Sequence, residues 1–212
     1  MRGLSDEGAG HTNSMSIDIN NAWDELKRRV SGCQKCGLCK KRHHTVFGGG
    51  PTENCRVVVV GEGPGADEDV TGRPFVGKAG QLLTAILQDG GGIPRESLYI
   101  TNIVKCRPPE NRNPTREEAQ SCSEYLEAQL LLLHPDIVVT LGNVPTQFLL
   151  NTSQGITSLR GQWLNWRGIR LYPMFHPSYL LRNDSKAEGS PKYLTWQDVR
   201  ALKSEIDKLQ RS

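Results

Sequence analysis

Four short apolar runs separated by helical patterns constrain this chain more than any other feature. Arg56-Val57-Val58-Val59-Val60-Gly61 is a β-branched run, the pattern of a strand buried on both faces. Comparable runs cover residues 98–104, 136–141 and 169–175. Between them, helical spacing marks residues 77–88, 115–133 and 144–150. Thr115 and Glu118 form a capping box at the start of the second of these. Leu194, Val199, Leu202, Ile206 and Leu209 predict a closing helix over residues 191–210, and an opening helix is expected over 20–30. Such alternation implies an α/β fold, with a parallel sheet and right-handed crossovers. Ligands of open parallel sheets bind beyond the carboxyl ends of the strands. Here those ends are Gly61 to Gly65, Asn102 to Cys106, Gly142-Asn143 and His176-Pro177.

The 212 residues suit one domain, expected over residues 20–212, with no internal repeat. Residues 1–19 are polar, contain Gly and Ser, and read as a flexible leader without an apolar signal core. Charged residues make up 23% and hydrophobic ones 36%, which excludes a membrane-embedded or wholly disordered chain. Without an export signal, a reducing cytoplasm is expected, where cysteines serve metals more often than disulfides. The net charge of +3 says little, but its distribution says more. Lys35, Lys40, Lys41, Arg42, His43 and His44 surround one cysteine pair, and Lys105, Arg107, Arg112 and Arg116 another. Together they predict one basic patch facing a polyanion.

Cys33 and Cys36 share one turn, while Cys106 and Cys122 come from distant chain. Four thiolates suit tetrahedral zinc or an iron–sulfur cluster, and spacing does not choose between them. Cys39 repeats the spacing and competes with Cys36; Cys55, just before a strand, reads as a buried core cysteine.

After the first strand comes Gly61-Glu62-Gly63-Pro64-Gly65, a backbone able to approach a ligand closely. It lacks the Lys-Ser/Thr of a P-loop and the spacing of a dinucleotide fingerprint. Gly72-Arg73-Pro74-Phe75-Val76-Gly77 then sets a phenylalanine between a turn and a helix start, as a stacking platform would require. These two motifs, with Asn102-Ile103-Val104-Lys105-Cys106-Arg107-Pro108-Pro109 and His176-Pro177-Ser178-Tyr179-Leu180-Leu181-Arg182, resemble the family 4 uracil-DNA glycosylases. The match runs in the family's order from about Cys33 to the C-terminal helix.

The resemblance implies a three-layer sandwich with a central four-stranded parallel sheet flanked by helices. It implies a 4Fe-4S cluster on Cys33, Cys36, Cys106 and Cys122, leaving Cys39 as an extra. The activity implied is hydrolysis of the N-glycosidic bond of uracil in DNA, single- or double-stranded, by a monomer. Phe75 would stack on the flipped base, Asn102 would read its edge, and His176 with backbone near Gly63 would stabilise the leaving uracil. Another glycosylase family orients water with an Asp in this loop; Gly63 stands at that place, so Glu62, Glu68 and Asn111 are the candidates here. A covalent subclass carries Gln at that same place and a basic insertion that this chain lacks, so irreversible cross-linking is not expected. One of Leu180 and Leu181 would wedge into DNA, and Arg182 would hold a flanking phosphate. The competing reading is a non-catalytic, metal-containing DNA-binding module of the same fold.

Overall fold

The computed structural model of the chain describes residues 10–211. The β-branched runs form strands β1 (Val57–Gly61), β2 (Tyr99–Asn102) and β3 (Ile137–Leu141), buried at every position. A short β4 (Leu164–Trp166) and a longer β5 (Ile169–Met174) complete the sheet, in the order β2-β1-β3-β5-β4. The helices are α1 (Gly10–Ser31), α2 (Ala66–Thr71), α3 (Lys78–Ala85), α4 (Arg116–Leu133), α5 (Asn143–Leu150), α6 (Ile156–Leu159), α7 (Pro177–Arg182) and α8 (Pro191–Arg211).

Alternation along β1 sorts its side chains between two cores. Val58 and Val60 pack with Leu26 and Val30 of α1 and with Leu126 and Leu130 of α4. Val57 and Val59 pack with Leu83 of α3, Leu87 just beyond it, and Val199 and Leu202 of α8. The result is three layers, helix on sheet on helix. Each such valine contributes about 1.5–3 kcal/mol by leaving water. Thr115 caps α4 as its sequence predicts: the Glu118 N–H donates to Thr115 Oγ1, and the Thr115 N–H to Glu118 Oε2.

Four strands run parallel as expected, and β4 adds an antiparallel edge to β5. Its cause is local: Arg167 (φ 50°) and Gly168 (φ 88°) make a two-residue turn whose twist suits a hairpin. Helix α1 begins ten residues before the expected start, and residues 1–9 of the expected leader lie outside the described residues. Among the described residues, no helix is long and apolar enough to cross a membrane.

Topology positions the site. β2 lies on one side of β1, and the chain then returns to place β3 on the other. Loops leaving β1 and β3 therefore diverge and open a crevice above the carboxyl ends of the strands.

Candidate active site

A cavity of ≈ 600 Å³ occupies that crevice. Its lining draws together Glu62, Gly63, Glu68, Phe75, Asn102, Asn111, His176 and Arg182, which are scattered over more than a hundred residues of sequence.

Phe75 and Asn102 meet over a glycine. A Cβ on Gly61 would stand 2.4 Å from Asn102 Oδ1 and 2.6 Å from Phe75 Cζ, so no larger residue fits there. The ring of Phe75 lies 6.0 Å from that of His176, at 40°. Asn102 is 1% exposed, and its Oδ1 is buried without a hydrogen-bond partner. Buried side-chain acceptors normally find donors, so an unpaired one on a residue lining a cavity marks a place where a ligand's N–H could be received.

His176 caps α7. Its Nδ1 accepts from the Ser178 N–H at 3.1 Å and lies 2.7 Å from Ser178 Oγ. With Nδ1 accepting, the proton of the neutral ring resides on Nε2. Burial, assisted by the charge of Arg182, lowers the His176 pKa to about 4, so the ring is neutral at pH 7. A neutral donor of this kind can bind a developing anion without first giving up a proton.

The three polar candidates for water activation differ in what already holds them. Glu68 accepts from the N–H groups of Val76 (2.8 Å), Gly77 (2.9 Å) and Gly65 (3.1 Å), tying the glycine loop to the Phe75 segment. Asn111 sits at the rim, its Oδ1 taken by Arg107 Nε at 2.8 Å. Glu62 faces the cavity with its pKa raised by desolvation. Of the two leucines, Leu180 packs with Ile156 and Phe175 in the core and does not reach the surface; Leu181 is exposed.

One feature of the expected basic patch is overturned. Lys105 is 1% exposed, because the strand-end turn points it inward. Its Nζ donates to Thr101 Oγ1 (2.7 Å), Gln129 Oε1 (2.7 Å) and the Asn102 carbonyl (2.8 Å), so it supports Asn102 and offers nothing to a polyanion. Burial lowers its pKa to about 8. Arg112 is likewise engaged, forked onto both oxygens of Glu118. The signals for an inward Lys105 were present: it follows an apolar run, and Gln129 lies on the apolar face of α4.

A second pocket is lined by Cys33, Cys36, Cys39, Cys106 and Cys122. Cys55 lies outside it, its thiol donating to the Val57 carbonyl at 3.5 Å. Arg42 donates to Cys106 Sγ at 3.3 Å and to the Cys33 carbonyl at 2.7 Å. Burial raises the Cys106 pKa to about 11 and shifts Cys36 and Cys122 upward as well. Among the described residues, no three His, Cys, Asp or Glu side chains stand ready around a single ion.

Comparison with known proteins bears on this geometry. The family model for the uracil DNA glycosylase superfamily matches residues 47–200. A type-4 uracil-DNA glycosylase of Thermotoga maritima is 45% identical over 185 residues, spanning 86% of this chain and 94% of that protein. One from Saccharolobus solfataricus is 39% identical over 168 residues, spanning 76% and 77%. A type-5 uracil-DNA glycosylase of Pyrobaculum aerophilum is 31% identical over 195 residues, spanning 77% and 86%.

Proposed function

The chain belongs to the uracil DNA glycosylase superfamily, in its type-4 branch, and on that premise we propose that it hydrolyses the N-glycosidic bond of uracil in DNA, releasing uracil and leaving an abasic site for repair. The observation that carries the site assignment is the orphaned Asn102 Oδ1, beside Phe75 and near His176 in one cavity.

Uracil inside a duplex is out of reach, so the nucleotide is flipped into the cavity. Phe75 stacks on the base, a contact worth ~1–3 kcal/mol. Asn102 Oδ1 accepts from N3–H, and its amide nitrogen donates to O4. Cytosine presents the opposite pattern and would leave buried polar groups unpaired. As the bond breaks, charge gathers on O2, where the Nε2–H of neutral His176 stabilises it. Glu62 orients the water and faces the positive sugar, since Glu68 is committed to backbone N–H groups and Asn111 to Arg107. Leu181 fills the gap left by the base, and Arg182 holds a flanking phosphate.

Cys33, Cys36, Cys106 and Cys122 are assigned to a 4Fe-4S cluster, with Cys39 as an extra thiol at the same pocket. The donor set is all sulfur, and Arg42 donates to Cys106 Sγ, a cation placed where it would favour an anionic cluster. Bound there, the cluster supplies iron–thiolate links. The protein's part is to join the turn after α1, the segment after β2, and α4; no step of base cleavage is assigned to the cluster.

The test is incubation of iron-loaded protein with uracil-containing single- and double-stranded DNA, followed by cleavage of abasic sites. Strand breaks at uracil support the reading. Intact DNA from loaded protein rejects it in favour of a non-catalytic DNA-binding module. Asn102→Asp should admit cytosine as a substrate, which would tie the activity to this cavity.

A further inference from the structure

Phe75 holds its backbone at φ 52°, a left-handed conformation uncommon for any residue except glycine and unfavourable for a bulky one. It persists only because its neighbours over-determine it, and those neighbours are identifiable. Arg95, from the turn before β2, sends its guanidinium under the segment. One nitrogen donates to the carbonyls of Pro74 (2.8 Å) and Phe75 (2.9 Å), the other to Thr84 Oγ1 on α3 (2.8 Å). Thr84 in turn donates to the Gly80 carbonyl at 3.0 Å. From the other side, Glu68 accepts from the next two amides, Val76 and Gly77. The Phe75 carbonyl lies so close to α3 that a Cβ on Gly80 would meet it at 2.0 Å.

We propose that Arg95 is a positioning residue for base recognition: its forked guanidinium locks the Phe75 backbone in the conformation that presents the ring to the flipped uracil. This rests on Phe75 being the stacking platform proposed above. A planar guanidinium with one nitrogen on the Pro74 and Phe75 carbonyls and the other on Thr84 ties the segment to α3 in a fixed direction, which a single lysine ammonium cannot do. The surroundings agree, since Arg95 is itself partly withdrawn from water and sits opposite an acid that holds the same loop from above. Without Arg95, Phe75 is free to relax toward negative φ and carry its ring off the base.

The test is a double-mutant cycle on iron-loaded protein, measuring kcat/KM on uracil DNA and inhibition by free uracil. Arg95→Met should lower kcat/KM by roughly tenfold and weaken uracil inhibition comparably, within the range of one base–aromatic stack. In a Phe75→Leu background the same Arg95→Met change should cost nothing further, because the ring it positions is gone. Arg95→Lys should recover only part of the loss. A loss from Arg95→Met of equal size in both backgrounds would show a merely structural role and overturn the proposal, as would full activity in Arg95→Met. If Arg95→Met does not fold, Arg95→Lys decides by the same criterion: its smaller loss must vanish beside Phe75→Leu. If Phe75→Leu alone leaves cleavage unchanged, the stacking role fails and the proposal with it; if Phe75→Leu is impaired and Arg95 additive, only the proposal fails.

Discussion

Replacing Asn102 by leucine should make the protein more stable and destroy its use of uracil. Leucine reproduces the branching of asparagine at Cγ but has no acceptor to leave unsatisfied. In the native chain Oδ1 is buried with no donor, packed near Gly61 and the Phe75 ring. An unpaired buried acceptor costs about 1–3 kcal/mol. Methyl groups are bulkier than an amide, so the lower part of that range applies, about 1–2 kcal/mol. For a domain of this size, 1 kcal/mol moves the unfolding midpoint by about 2–4 °C, giving an expected rise of roughly 2–8 °C. The assay is thermal unfolding followed by circular dichroism at matched iron content, with and without free uracil. Uracil at about a hundred times its Kd should stabilise the parent by about 2.7 kcal/mol and the variant not at all. A midpoint that falls or stays put, with uracil still stabilising the variant, would refute the claim that this oxygen is reserved for the base.

Other expectations follow from the same geometry. The lowered pKa of His176 means that the unfolded chain, with an ordinary histidine, takes up a proton between pH 6.5 and about 4 that the folded chain refuses. Stability is therefore intact above pH 6.5 and falls as pH drops through that window, by about 1–2 kcal/mol at pH 5. His176→Gln should flatten that slope in urea titrations at pH 7 and pH 5 while slowing cleavage; an unchanged slope would contradict the buried neutral ring. Gly61→Ala drives a methyl between Asn102 and Phe75, and overpacking of this kind costs about 1–3 kcal/mol, so cleavage should collapse while iron content is kept. Lys105→Met takes the lysine donor from the Asn102 carbonyl and from Thr101 Oγ1, leaves Gln129 Oε1 only the longer bond from Thr101, and should destabilise the fold by about 2–4 kcal/mol in urea unfolding. Cys36→Ser and Cys122→Ser should lose iron by elemental analysis, whereas Cys39→Ser and Cys55→Ser keep it; iron retained in Cys122→Ser would undo the ligand assignment.

How much of this was legible in the sequence depends on the range of the interaction. Val57 to Val60 announced a doubly buried strand, and Thr115 with Glu118 announced the start of α4, because both depend on neighbours within one turn or one pleat. The spacing of Cys33 and Cys36 proclaimed a shared turn, and the glycine loop a close backbone approach. One of Leu180 and Leu181 was expected to face DNA, and only packing shows which is exposed: Leu180 lies in the core and Leu181 in solvent. That Glu68, a candidate for catalysis in sequence, also braces the glycine loop was not legible, since its three donors come from backbone up to nine residues away.

Sequence alone, then, determined the four parallel strands, the long helices between them, the Thr115 cap, the fold class and the inventory of chemical groups, while β4 and the short helices α2, α6 and α7 appeared only in the fold. The cavity that the resemblance implied for Phe75, Asn102 and His176 is present in the tertiary structure, and tertiary structure alone decided that Lys105 turns inward and that Arg95 donates to the carbonyl of a phenylalanine held at positive φ. The physical reason is that periodicity and capping are settled by contacts a few residues apart, whereas the cavity exists only where the strand order reverses between β1 and β3. Which side chains converge there is set by sheet register and crossover length, and no local pattern encodes either.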